Sequence, residues 1–195
     1  MQDNPMPEQI ISEATSLFYQ YGYHGTSMRQ IAEKVGIEAG SLYYYVPGKE
    51  ALLMAVMSRV LNEMYERIHD PSSGLVFRDP LQNLRELIAI HVDYVVHHNE
   101  AVAVTYSEIT KLSPENRIII IGLRDRYENI FYEVVHYGIE KKSFLFPDEK
   151  IVVTFILSFL NRIPFWFHPE GRLSLEELIR LATTFIVGGL LMVKS

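Results

Sequence analysis

The stretch from Thr26 to Lys49, TSMRQIAEKVGIEAGSLYYYVPGK, constrains this chain more than any other, because local rules fix two short helices and the turn between them. Ser27 and Gln30 form an S-x-x-Q capping box, in which each side chain satisfies the other residue's backbone N–H, so a helix starts near Ser27. Its apolar side, Ile31, Ala32 and Val35, repeats at helical spacing, and Gly36 supplies the left-handed residue that ends it. Ile37 and Leu42 can close a small core with Ile31 and Val35. The small Ala32 lets a second helix, Glu38 to Tyr45, cross the first closely and near a right angle. Tyr43, Tyr44 and Tyr45 are three adjacent phenols on a helix barely two turns long, so they cannot all face one core and at least one points outward. Apolar spacing alone would equally suit a helical pair with no further purpose.

The order YGYHGTSMRQIAEKVG followed by SLYYYVPGKEAL resembles the DNA-binding domain of TetR-type transcriptional repressors. The usual wording there is close to G-[YF]-x-x-[TS]-[ST]-x-x-x-I-A-x-x-A-G-V-x-x-G-[ST]-L-Y-x-[HY]-F-x-x-K-[ED]-x-L. The resemblance implies a helix-turn-helix in which Thr26 and Ser27 bind a phosphate at the first helix start. It also implies that Ala39, Gly40, Ser41 and Tyr43 face the major groove, and that Tyr44 and Lys49 hold the flanking backbone. Two positions depart from the pattern: Tyr45 stands where His is common, and Val46, a smaller core plug, stands where Phe is usual.

Charge limits how such a surface could work. Residues 1–50 hold the acids Asp3, Glu8, Glu13, Glu33, Glu38 and Glu50 against Arg29, Lys34 and Lys49, a net charge of −3. The helix from Glu38 to Tyr45 has no Lys or Arg, so the bidentate Arg-to-guanine contact is unavailable from it. Affinity must rest on hydroxyls, on backbone N–H groups at helix N-termini, on Arg29, Lys34 and Lys49, and on doubling through a dimer. A modest salt dependence is the expectation.

The remainder reads as helix after helix. Helix one carries Ile10, Ile11, Ala14, Leu17, Phe18 and Tyr21 on one face and ends at Gly22. A fourth helix, Lys49 to His69, breaks at DPSSG, the main loop. Asp79-Pro80 and Ser113-Pro114 each pair an N-cap with a first-turn proline, opening helices through about His98 and about Tyr137. Asp148 begins a helix that meets Pro164, and Ser174 with Glu177 caps the last one. With no β-period alternation, the fold class is all-α: a three-helix helix-turn-helix domain over residues 1–50, then a helical ligand-binding and dimerisation bundle over residues 51–195. The absence of cysteine excludes disulfides and thiolate chemistry. The N-terminal MQDNPMPEQ lacks the marks of a signal peptide, and no apolar run is long enough to span a bilayer, so a cytoplasmic protein without membrane association is expected.

The C-terminal stretch Leu178 to Val193 is apolar on nearly every side and must be covered on both flanks. Pairing it and Ile151 to Phe159 with their copies across a twofold makes Phe159, Phe185, Gly188, Gly189 and Met192 a dimer interface, the glycines allowing close approach. A monomeric bundle is the alternative. Such a dimer sets two recognition helices about 34 Å apart on a palindromic double-stranded DNA operator.

The middle of the chain offers Tyr94, Tyr106, Arg124, Tyr127 and Phe155 as aromatic and polar lining for an effector pocket, with ordinary core packing the alternative for most of them. His91 and His98 form no H-x-x-x-H pair, so no metal site and no cofactor are expected. In FLNRIPFWFHPEGRLS, Arg162 and Trp166 stand four apart and would share a helix face, either as a cation-π pair at the surface of a kink or with Arg162 on the charged group of an anionic ligand and Trp166 as a wall. That wording resembles the C-terminal domains of TetR-type repressors that sense acyl-CoA thioesters and control fatty-acid, steroid or aromatic-acid breakdown. The resemblance therefore implies an acyl-CoA effector. A regulator of multidrug efflux answering lipophilic compounds, and a dimeric helical module without DNA binding, are the alternatives. An enzyme is not expected, since the chain shows no nucleophile elbow, phosphate loop, iron-binding carboxylate-histidine motif or thiolate.

Overall fold

The computed structural model describes residues 6–70, 79–145 and 148–190, and every regular element among them is helical. In chain order these are α1 (Met6–Gly25), α2 (Met28–Val35), α3 (Ala39–Tyr45), α4 (Lys49–His69), α5 (Pro80–His97), α6 (Asn99–Ser107), α7 (Pro114–Glu140), α8 (Glu149–Leu160) and α9 (Leu175–Thr184). Short 3-10 turns at Ile109–Lys111 and Ile163–Phe165 and a π-helical stretch at Phe185–Leu190 complete them. The break expected at DPSSG falls largely on residues 71–78, outside the described residues, as does Met192.

The chain forms two compact units, Met1–Leu61 with Glu100–Leu123, and Asn62–Asn99 with Arg124–Ser195. In the first, Ile10, Leu17 and Phe18 of α1, Ile31 and Val35 of α2, and Leu42 of α3 share one buried core with Leu52, Leu53 and Met57 of α4. Val104, Leu112 and Ile120 belong to the same core. Packing therefore does not change after residue 50, where the sequence placed a boundary, because α4 and the later segment complete what α1–α3 begin.

Local chemistry explains the ends of these helices. At Gly22 the backbone turns to φ 72°, ψ 167°, and the chain makes one further turn to Gly25 beyond the expected stop. Tyr21, expected on the buried face, is 59% exposed; Tyr23 takes the inner place, its ring 5.7 Å from Phe18. Gly36 ends α2 in the left-handed region at φ 79°, its N–H donating to the Ala32 and Glu33 carbonyls.

In the second unit, Asp79 caps α5 by accepting from the N–H of Leu81 at 2.9 Å, and α5 packs on α9. Asp148 caps α8 by accepting from Ile151 at 3.0 Å. Regular helix then stops at Leu160 rather than running into Pro164, whose ring would clash with the carbonyl four residues back and which has no N–H to give. The Ser174–Glu177 capping box opens α9 as expected. The continuous apolar helix expected from Leu178 gives way after Thr184 to π geometry, over a stretch that contains Gly188 and Gly189.

Candidate DNA-binding surface and effector site

The first unit presents α3 on a rigid base. Ser27 N–H donates to Gln30 Oε1 at 2.8 Å, and Gln30 N–H donates to Ser27 Oγ at 3.2 Å, so α2 starts where the capping box requires. Leu42 is the single buried residue of α3 and pins it to α2. Gly40 and Ser41 are exposed, Ala39 is half-buried, and all three phenols lie outside, Tyr44 at 88%. Tyr44 and Tyr45 meet edge to face at 5.5 Å, which orients both rings. Arg29 and Lys34 are exposed on α2.

Two residues expected to touch DNA are committed inward instead. Thr26 is buried, its hydroxyl set on the carbonyls of Leu17 and Gly22 at 3.1 and 3.0 Å. Lys49 donates from Nζ to the carbonyls of Tyr23 and Thr26, both at 2.7 Å, and lies 4.4 Å over the Tyr23 ring. Its charge closes the C-terminal end of α1, where carbonyls lack intrahelical partners. Glu50 works beside it: its Oε1 accepts from Ser113 N–H and Asn116 Nδ2, both at 2.8 Å, and these bonds hold the carboxyl below its usual range. The sequence reading missed these bonds, since partners 23 to 66 residues away leave no local signal.

In the second unit the effector candidates separate. Arg162 does not face Trp166; its guanidinium lies 4.4 Å over Phe165, because the 3-10 turn at Pro164 replaces the four-residue helical repeat. Trp166 is exposed and, with Phe167, His168, Gly171, Arg172 and Leu173, lines a cavity of about 230 Å³. Arg172 and His168 are thus the basic groups beside the indole. Tyr94 is buried, donates to Glu63 at 2.8 Å and stacks on His98 at 4.3 Å. Tyr127 is buried against His91, its hydroxyl 2.9 Å from Nδ1. Arg124 approaches Asp125 at 3.3 Å while its Nε is buried without a partner. Tyr106, on α6, belongs to the first unit and not to the second.

Phe155 also leaves the pocket set. It is 51% exposed and forms, with Ile151 and Phe159 at four-residue steps along α8, an outward stripe. The ring of Phe159 meets the exposed Phe185 at 5.3 Å, and Leu181 is also exposed. Among the described residues, nothing outside the local helix backbone lies within 4 Å of where a Cβ at Gly188 would stand. Among the described residues no cluster of three or more His, Asp or Glu could hold a metal, and no helix is long and apolar enough to cross a membrane.

Residues 10–56 match the family model for bacterial regulatory proteins of the tetR family, and residues 78–190 match the tetracyclin repressor-like C-terminal domain. The transcriptional repressor KstR2 of Mycobacterium tuberculosis is 24% identical over 97% of this chain and 94% of its own length. The TetR family regulator PfmR from Thermus thermophilus superimposes with a TM-score of 0.83 at 30% identity, over 93% of this chain and 98% of that one. AibR, solved with isovaleryl coenzyme A and operator DNA, shares the fold with a TM-score of 0.84 at 23% identity, over 92% and 97%. A helix-turn-helix with its outward face on α3, followed by a helical C-terminal domain of the matching kind, makes this chain a member of the TetR family, a DNA-binding transcriptional regulator and not an enzyme.

Proposed function

We propose that the chain is a cytoplasmic repressor that binds a palindromic operator as a homodimer and leaves it when an acyl-CoA thioester binds the C-terminal domain. Residues 1–50 are the DNA-binding part in this reading and residues 51–195 bind ligand and partner. Supporting it is the exposed face of α3: Gly40, Ser41, Tyr43 and Tyr44 stand free of the core that holds Leu42. Ser27 and Arg29 supply backbone contacts, whereas Thr26 and Lys49 act by shaping the surface. The stripe of Ile151, Phe155 and Phe159 with Leu181 and Phe185 is the dimer face, and Gly188 admits the partner closely.

The acyl-CoA reading is supported by the likeness to AibR, which was solved with isovaleryl coenzyme A, and by an indole-lined cavity beside Arg172 and His168. Arg162, exposed two residues before Pro164, is the further cation for the phosphates of such a ligand. A gel-shift assay on the protein's own promoter region, repeated with acyl-CoAs, tests both halves. Operator binding without ligand and release by an acyl-CoA are expected, with Arg162→Met weakening release at unchanged DNA affinity. Failure to shift DNA would leave a helical module, and response only to neutral lipophilic compounds would make the chain an efflux regulator.

A further inference from the structure

One charged side chain stands at the start of α3, and the fold makes no use of it. Glu38 is the last extended residue before the helix, at φ −68° and ψ 145°. Its carbonyl accepts from the N–H groups of Ser41 and Leu42 at 2.9 and 3.2 Å, which closes the first turn. Its carboxylate caps nothing, is exposed, and has no hydrogen bond or ion pair among the described residues. An unpaired acid beside a groove walled by phosphates weakens binding to every DNA sequence alike, unless it finds a donor there.

Gly40, two residues on, marks how near that donor comes. It lies inside α3, and the glycines with positive φ among the described residues are Gly22 and Gly36, so its conformation suits any residue. Apart from its own helix backbone and its chain neighbours, nothing among the described residues lies within 4 Å of where a Cβ at Gly40 would stand. Alanine there would meet no atom of the fold and would strengthen the helix. Neither conformation nor packing calls for a missing side chain, whereas a surface pressed against this turn from outside does. In a helix-turn-helix the first residues of the second helix are the ones that reach base edges. The chemistry of those edges selects the donor, because a carboxylate only accepts hydrogen bonds. In the major groove guanine offers two acceptors, thymine an acceptor with a methyl group, and adenine an N6 donor beside its N7 acceptor. Cytosine alone shows a donor, N4, without an acceptor of its own. With no Lys or Arg on α3 to take the guanine side of such a pair, the acid reads it from the cytosine side.

We propose that Glu38 determines specificity: its carboxylate accepts from cytosine N4 at one C·G pair in each operator half-site, and Gly40 lets the α3 backbone come close enough for that contact. The proposal rests on the reading that α3 enters the major groove. The full-length wild type would select duplexes from a random-sequence pool. Each base pair of the selected operator would then be replaced in turn, in binding titrations with the wild type, Glu38→Ala, Glu38→Gln and Gly40→Ala. One C·G pair per half-site is expected at which replacement costs the wild type about tenfold or more in affinity. Glu38→Ala should bring that ratio close to one at this pair alone. Glu38→Gln should turn the preference there to adenine, whose N6 and N7 a carboxamide pairs together. Gly40→Ala should melt no lower than the wild type yet bind the selected operator severalfold more weakly. If Glu38→Ala binds every sequence more tightly by one common factor, the acid only repels phosphates and the proposal is overturned. An unchanged preference in both Glu38 variants overturns it too, as does full operator affinity in Gly40→Ala. If the wild type selects no sequence from the pool, the reading of α3 falls and this proposal with it; if it selects a sequence with no such C·G pair, only this proposal falls.

Discussion

The helix pair over Met28–Tyr45 and the bend over Asn161–Leu173 are both short stretches that display aromatic side chains, but their backbones are held differently. In the first, each end is closed within five residues: Ser27 by Gln30, and Gly36 by Ala32 and Glu33. Backbone geometry stays helical, so spacing decides which side chains meet. In the second, Pro164 ends α8 and the chain continues on single-turn bonds, Phe165 N–H to the Arg162 carbonyl at 3.2 Å and Trp166 N–H to the Ile163 carbonyl at 3.1 Å. Three-residue repeats then bring Arg162 to Phe165, and Trp166 is free to meet Arg172. A proline thus moves control of a site from its own helix to the residues that follow.

The strongest way to break the first half of that comparison is Leu42→Ala. Leu42 is fully buried and is the single buried residue of α3, so about 2–5 kcal/mol of stability should be lost together with operator binding. Thermal unfolding and a DNA shift assay measure it, and full operator affinity in the variant would show that α3 needs no such anchor. A smaller effect is expected from Lys49→Met, about 1–3 kcal/mol from the Tyr23 and Thr26 carbonyls left without their charged donor. Its salt dependence is the sharper reading. For the wild type, log K against log salt should be no steeper than about −8, and Lys49→Met should leave the slope unchanged, whereas loss of a phosphate contact would reduce it by about 1. The gentlest probe concerns the second region: Pro164→Ala should let α8 continue, bring Arg162 and Trp166 onto one face, and shift Trp166 emission. An emission spectrum identical to wild type would mean that the bend does not depend on the proline.

Reading from residues alone succeeded where the cause lies nearby. Ser27, Gln30 and Gly36 fix α2 because a cap needs only its own turn, and Asp79, Asp148 and Ser174 start their helices for the same reason. Lys49 looked like a surface cation because its acceptors lie at the end of α1 and just after it, at Tyr23 and Thr26, and Phe155 looked like pocket lining until the rotation of α8 turned it outward. His91 and Tyr127 are 36 residues apart in the chain, and nothing in either helix alone predicts their bond. Pairings of that kind are decided by packing, after the helices exist.

The shared core of the first unit also sets an order in time. A ribosome adds about 5–20 residues per second, and α1 to α3 leave it before α6 and α7. Yet the core behind those helices includes Val104, Leu112 and Ile120, and Glu50 waits for Ser113 and Asn116. The helix-turn-helix is therefore made before the segments that lock it. A nascent chain halted before Ile120 would carry the motif without the platform that aims it.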